Sequence, residues 1–448
     1  FYYHCNQNGF YFASEIKALH AAEIPKIPNE KVWASYFAYG SYGNPDETFW
    51  DGIQQLPGGH YLEYENQKLT LKKWYFFVEE VAKQPKNLTY KEAKEQYLAL
   101  LKDSIKLRFR ADVPVGFNIS GGLDSSVLLA LVNLQENGKD NFNIREGVPP
   151  SEPVLSGVEV GVRGLINAYT FYTNNPVYDE LPWVEQMIAK TRNPLTKVLL
   201  QVDEVPDLAQ KMAWQQDEPY GGIPTLAYAK IFEQARKDKV LVLLDGQGMD
   251  EQWAGYDYYT QQNEAIIQGL SNSPFKTNVL SDTFLKKAKK PKYPKPFKEE
   301  VLNKQYRDLF FTKIPRALRF NDRISMASST ELREPFLDYR LVEFAFSLPL
   351  DFKIKEGVTK FMLREIAAEF LAGNLAFTPK RALQTPQREW LANELKGFVN
   401  GQLEKLIEND PHKWFDKRVL RQEWENYLNG DNDSSFHIWQ WVSLGLTI

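Results

Sequence analysis

Strand-like and helix-like segments alternate through the middle of this chain, and that alternation leaves few architectures open. Strand-like "VPVGFNI" (113–119) precedes helix-like "SSVLLALVNLQENG" (125–138), then strand-like "INAYTFYT" (166–173) precedes helix-like "DELPWVEQMIAKT" (179–191). Strand-like "KVLLQV" (197–202) and helix-like "LAYAKIFEQARKD" (226–238) lead into "KVLVLLD" (239–245). The unbroken apolar run of that last segment suits a strand buried on both faces. Strand and helix in turn predict an α/β fold built on a parallel sheet with right-handed crossovers.

The flanks read differently. Residues 1–76 carry short apolar runs and turn signals, with "HYLEY" and "KLTLKKW" forming a hairpin around Glu65, Asn66 and Gln67 and a short helix in "ASEIKALHAA". Thr89 and Glu92 stand at capping-box spacing, and Tyr90, Ala93, Tyr97, Leu101 and Ile105 mark one face of the helix that follows. From about Tyr258 the pattern is helical with no clear strands, and the lysine-rich stretch 286–300 reads as an exposed linker. The aperiodic stretch 144–165 reads as a surface insertion at the end of the sheet remote from the strands' carboxyl ends. These patterns divide the chain into a β-rich part, 1–78, and an α/β part with a helical end, 79–448.

At 448 residues, 43% apolar and 25% charged, the chain has the composition of a folded protein with a large core. A net charge of −4 with mixed signs argues against nucleic-acid binding. No apolar run reaches the roughly 18–20 residues that span a bilayer. The start "FYYHCNQNGF" lacks signal-peptide character, so a cytoplasmic location is expected. Cys5, the one cysteine, excludes an internal disulfide and a cysteine-cluster metal site.

The glycine loops carry the chemistry. A strand ending at Ile119, a Gly121–Gly122 turn and a helix starting near Asp124 expose backbone N–H groups in one concavity, a phosphate-binding nest at the positive end of a helix. Ser120, Ser125 and Ser126 add donors. The loop is neither GxxxxGK[ST] nor GxGxxG. "DGQGMDE" (245–251) is a second junction of the same kind, so Asp124 and Asp250 face one bound polyphosphate, and two carboxylates near phosphate oxygens suit Mg²⁺.

SGGLDSS resembles the pyrophosphate loop of the ATP-pyrophosphatase group. Together with "FASEIKAL" (12–19), "LPGGHYLEY" (56–64), "DGQGMDEQWAGY" (245–256), "ELREPFLDYRLVEFAFSLP" (331–349), "KFMLRE" (360–365) and "KRALQTPQREWL" (380–391), the chain resembles the class B, glutamine-hydrolysing asparagine synthetases. The resemblance implies a partial N-terminal nucleophile glutaminase domain followed by an ATP-pyrophosphatase-type synthetase domain. It implies ATP and Mg²⁺ as cofactors, with aspartate and glutamine-derived ammonia as reactants, and a homodimer is one expectation for assembly. In such enzymes ATP adenylates the aspartate side chain and ammonia then displaces AMP. The resemblance places pyrophosphate on Ser120, Gly121, Gly122, Ser125 and Ser126, and Mg²⁺ between Asp124 and Asp250. It places Asp245, Gly246 and Gln247 at the nucleotide, "QDEPYGGIPT" (216–225) at the aspartate pocket, and Lys380 at pyrophosphate and the reacting acyl group. Ala382 replaces a family glycine. Arg333 and Asp338 are expected to form a buried pair fixing helix ends, with Lys360 and Arg364 doing similar work.

Two departures stand out. The family glutamate thought to deprotonate the amine is here Gln247, an amide that takes no proton near neutral pH, which leaves Glu251 as a candidate acceptor. The family's N-terminal cysteine and the residues after it have no counterpart, and Cys5 reads as a packed strand thiol. The chain as it stands is therefore expected to use ammonia and not glutamine. Three readings remain: an asparagine-forming ligase, a related synthetase acting on another carboxylate in natural-product or cell-surface tailoring, and a catalytically silent nucleotide-binding homologue.

Overall fold

The computed structural model describes residues 1–136, 166–261, 273–371, 376–377, 385–408, 410, 412–431 and 433–448. The stretch 144–165 and Lys380 lie outside them.

The N-terminal part is β-rich. Strands β1 (Tyr2–Asn6) and β2 (Gly9–Ala13) pair antiparallel, with β3 (Gln54–Gln55) on the other side of β1. The hairpin β4 (His60–Glu65) and β5 (Lys68–Lys73) turns through Asn66 and Gln67, both at positive φ, as a two-residue turn with strand-compatible twist requires. Cys5 lies on β1 but is exposed, because it sits toward the hairpin end of the strand. A packed thiol was expected there, and the structure corrects it. His4, on the opposite face, pairs through Nδ1 with Gly52 O at 2.7 Å and is no base for Cys5.

The central sheet is parallel, in the order β10–β9–β6–β7–β8, comprising β6 (Val115–Asn118), β7 (Ala168–Tyr172), β8 (Leu195–Leu199), β9 (Val242–Leu244) and β10 (Glu331–Arg333). Four of these strands match the sequence reading. The fifth, β10, corrects the expectation of no strands in the last third: it is three residues long, begins and ends on charge, and is defined by pairing with β9 at the sheet edge. Side chains alternate across the sheet. Leu243 enters one core with Tyr169, Val198 and Phe232, while Val242 and Leu244 enter the other with Phe117, Leu128 and Ala168.

The helix Tyr90–Arg108 starts at the anticipated capping box: Glu92 N donates to Thr89 Oγ1 and Thr89 N to Glu92 Oε2. Its Ala93, Tyr97, Leu101 and Ile105 are fully buried. Residues 217 and 218 tie the two parts together. Glu218 accepts from Phe49 N at 2.8 Å and pairs with Arg319 at 2.6 Å, and Asp217 O accepts from Trp50 Nε1 at 2.8 Å. The segment 216–225 thus spends both of its carboxylates or their backbone on joining the N-terminal part to the rest. Among the described residues, no helix is long and apolar enough to cross a membrane.

Strand order reverses between β6 and β9: β7 and β8 extend the sheet one way, β9 and β10 the other. In open parallel sheets ligands bind outside the carboxyl ends of the strands at such a switch point. The two glycine loops leave the sheet there.

Candidate functional site

After β6 the chain turns through Ser120, Gly121 and Gly122 into the helix Leu123–Glu136, whose first turn carries Asp124. The serines close the turn. Ser125 Oγ donates to Ser120 O at 2.6 Å and lies 3.2 Å from Ser120 Oγ, and Gly122 N donates to Ser120 Oγ at 3.4 Å. Ser125 and Ser126 are buried. The loop's shape is therefore fixed by its own side chains, and the helix N-terminus behind it favours an anion.

The second loop follows β9. Asp245 N donates to Arg333 O at 3.0 Å, Gly246 N to Asp245 Oδ1 at 2.6 Å, and Asn118 Nδ2 to Asp245 Oδ2 at 3.4 Å. Burial nevertheless raises the Asp245 carboxyl to about 6, outweighing these bonds. A Cβ on Gly246 would lie 3.2 Å from Ser125 N, so glycine there lets the two loops touch. Gln247 N donates to Glu334 Oε2 at 3.3 Å. Burial, and next the charge of Asp245, push the Glu334 carboxyl well above the usual range.

Asp124 and Asp250 meet at one cation, Lys360. Its Nζ donates to both oxygens of Asp124 at 2.7 Å and lies 2.7 Å from Asp250 Oδ1. The lysine is 5% exposed. Burial alone would lower its pKa, but the two carboxylates outweigh that and raise it. Lys360 adopts φ 56°, a left-handed conformation costly for a residue with a Cβ, and its N–H donates to Trp253 O at 3.1 Å. Gly255 makes room for the pair: a Cβ there would stand 2.0 Å from Asp250 Oδ1 and 2.3 Å from Lys360 Cε.

The remaining candidates sort themselves by partner. Glu251, buried, accepts from Tyr256 OH at 2.8 Å. Arg364 Nε donates to Thr359 O at 2.8 Å and its Nη1 to Ala376 O at 2.8 Å, the helix-end work expected of it. Arg333 and Asp338 do not pair with each other. Arg333 donates to the carbonyls of Arg108 and Arg110 at 2.7 and 2.9 Å, whereas Asp338 caps the helix Tyr339–Ser347 and takes Arg108 and Arg340. The cause is direction: Arg333 ends β10 facing the end of the helix Tyr90–Arg108, and Asp338 begins the next helix. Burial would raise the Asp338 pKa, but the hydrogen bonds from Arg340 and Arg108 hold it at about 2. Thr385 and Trp390, from the C-terminal motif that contains Lys380, are buried.

The asparagine synthase family model matches residues 96–448, spanning both loops and Lys360. The chain belongs to the asparagine synthase family. A glutamine amidotransferase domain model matches residues 1–75. Asparagine synthetase (glutamine-hydrolyzing) 3 of Bacillus subtilis (strain 168) is 25% identical over 398 residues, covering 85% of this chain and 62% of the relative. Asparagine synthetase (glutamine-hydrolyzing) 1 of the same strain is 23% identical over 491 residues, covering 98% of this chain and 71% of the relative. The chain thus spans less than two thirds of the first relative's length.

Within this asparagine synthase family fold, sequence reasoning missed two residues. Lys360 was read as fixing a helix end, since its partner Asp124 lies 236 positions away. Glu334 carried no usable signal, because the strand it follows, β10, is itself not legible in the sequence. The donor set suits a hard divalent cation, because two carboxylates from neighbouring loops converge on one positive centre. Among the described residues no group of three or more His, Cys, Asp and Glu side chains could hold a metal. A cation held by Asp124 and Asp250 therefore needs phosphate and water oxygens to complete its shell, and needs the Lys360 ammonium to give way.

Proposed function

We propose that this chain is an ATP-dependent amide-forming ligase that adenylates the side-chain carboxylate of aspartate and passes ammonia to the acyl-adenylate, giving asparagine, AMP and pyrophosphate. The observation that carries the reading is the meeting of Asp124 and Asp250, from adjacent loops at the strand-order reversal, on the buried Lys360. Such an arrangement suits the handling of a polyphosphate: two acids for its metal, one ammonium for its charge, and a helix N-terminus beneath it.

In this reading Ser120, Gly121, Gly122, Ser125 and Ser126 cradle the β- and γ-phosphates, while Asp245, Gly246 and Gln247 border the nucleoside side. Asp124 and Asp250 would hold Mg²⁺, which when bound neutralises phosphate charge. A carboxylate oxygen attacks the α-phosphorus and pyrophosphate departs. Loop amides, the helix N-terminus and Lys360 stabilise the charge that grows on the departing group. Lys360, whose ammonium lies between the two aspartates, would offer that charge to phosphate oxygen. Ammonia then attacks the activated carbonyl carbon and AMP leaves. Lys380 keeps the acyl-side role that the family resemblance implies, and Glu251, held by Tyr256, orients within the site.

Aspartate labelled with ¹⁸O in its side-chain carboxylate tests the reading. One labelled oxygen should appear in AMP when the chain turns over with Mg-ATP and ammonium. Label in inorganic phosphate, or no AMP at all, contradicts it.

A further inference from the structure

Glu334 sits where two features of the molecule meet. On one side is the second nucleotide loop, through the Gln247 amide at 3.3 Å. On the other is a cavity of about 370 Å³ between the N-terminal sheet, the helix Lys313–Ala327 and the end of β10. Its Oε1 is buried with no hydrogen-bond partner among the described residues. A buried carboxyl oxygen left unsatisfied costs free energy, so an orphan at the mouth of a site points to a partner that arrives with the substrate.

Four of the other acids nearby are committed. Asp124 and Asp250 share Lys360, Glu251 accepts from Tyr256, and Glu218 holds Phe49 N and Arg319. Gln247 takes no proton. Yet attack by a neutral amine leaves the nitrogen with a surplus proton that must go somewhere.

We propose that Glu334 accepts that proton. The assignment rests on the ligase reading given above. The nitrogen lone pair forms the N–C bond, the electron pair of the C–O bond departs with AMP, and the surplus proton passes from nitrogen to Glu334 Oε1. The nucleophile reaches the carbonyl from the cavity side, where Glu334 lies between it and the nucleotide loop. The electrostatic surroundings suit the task. Asp245 faces Glu334 from the end of β9, Tyr228 from the helix Ile223–Lys237, Arg319, Asp322 and Arg323 from across the cavity, and Tyr2 from β1. Burial, and next the Asp245 charge, raise the carboxyl's proton affinity well above that of an ordinary carboxylate.

Glu334→Gln keeps an acceptor for the Gln247 amide and removes the basicity. Two rates are compared in wild type and variant: aspartate-dependent ATP–pyrophosphate exchange, and asparagine formation from ammonium at pH 6–9 with unprotonated ammonia held constant. The expected result is exchange within about threefold of wild type. Amide formation falls at least about tenfold and loses its decline toward acid pH. Wild-type amide rates and pH profile in the variant overturn the assignment. So does a parallel fall of exchange and amide formation, which would place Glu334's action in adenylation through the loop. Wild-type chain without exchange would fail the ligase reading itself, and this assignment with it.

Discussion

Replacing Lys360 by methionine keeps the hydrocarbon stem and deletes the ammonium that holds Asp124 and Asp250 together. Breaking a fully buried ion pair from one side costs about 3–5 kcal/mol, because the other charge stays behind uncompensated. Here the aspartate side chains are 20% and 17% exposed, so water recovers part of that and about 2–3 kcal/mol is expected. The sign with pH follows from the raised lysine pKa. Its contribution is fully present below the unfolded lysine value of 10.5 and is lost only as pH rises through the higher folded value. Urea unfolding of both proteins should therefore show a difference that stays flat between about pH 6 and 9. A second arm uses magnesium without nucleotide. In Lys360→Met the two carboxylates face a vacated centre, so millimolar MgCl₂ should stabilise the variant clearly more than the wild type. A variant as stable as wild type, or equal magnesium shifts in the two proteins, would refute the reasoning.

Two further perturbations test neighbouring parts of the account. Gly255→Ala places a methyl 2.0 Å from Asp250 Oδ1, so it should cost about 1–3 kcal/mol and cut aspartate-dependent exchange at least about tenfold; Gly397→Ala, whose Cβ would meet nothing within 4 Å, should do neither. Lys353 is buried with no hydrogen-bond partner for Nζ among the described residues, and burial pushes it down from 10.5 to about 7. The folded state then binds fewer protons than the unfolded chain between those values, so the penalty is full below about 7 and fades as pH rises toward 10.5. Lys353→Met should accordingly stabilise the protein by roughly 2–5 kcal/mol at pH 6 and by much less at pH 10, as read from urea midpoints.

What was legible in the sequence was what local physics writes there. The apolar run of "KVLVLLD" marks β9, the Thr89–Glu92 spacing marks a helix start, and the two strand–glycine–acid junctions mark loops that the parallel sheet must bring to one edge. What was not legible depends on partners far along the chain. β10 is a strand because β9 pairs with it, and neither Glu331 nor Arg333 advertises it. Lys360 stands in "KFMLRE" like any lysine before a helix, and its role emerges once the loop after Asp250 folds beneath it. Arg333 and Asp338 are five positions apart and were read as a pair, yet the turn between them sends each to a different partner. Cys5 shows the same limit: strand position was readable, but its exposure depends on what the sheet packs against.

The central claim is that Asp124 and Asp250 form one metal–pyrophosphate centre serving activation of a carboxylate. Its most direct test is ATP–pyrophosphate exchange measured with Mg²⁺, with and without aspartate, in wild type, Asp124→Asn and Asp250→Asn. The account predicts aspartate-dependent exchange in wild type and a fall of at least about tenfold in each variant, about 1.4 kcal/mol of transition-state stabilisation. Wild-type exchange in both variants at saturating nucleotide and metal, or exchange indifferent to aspartate, would contradict it.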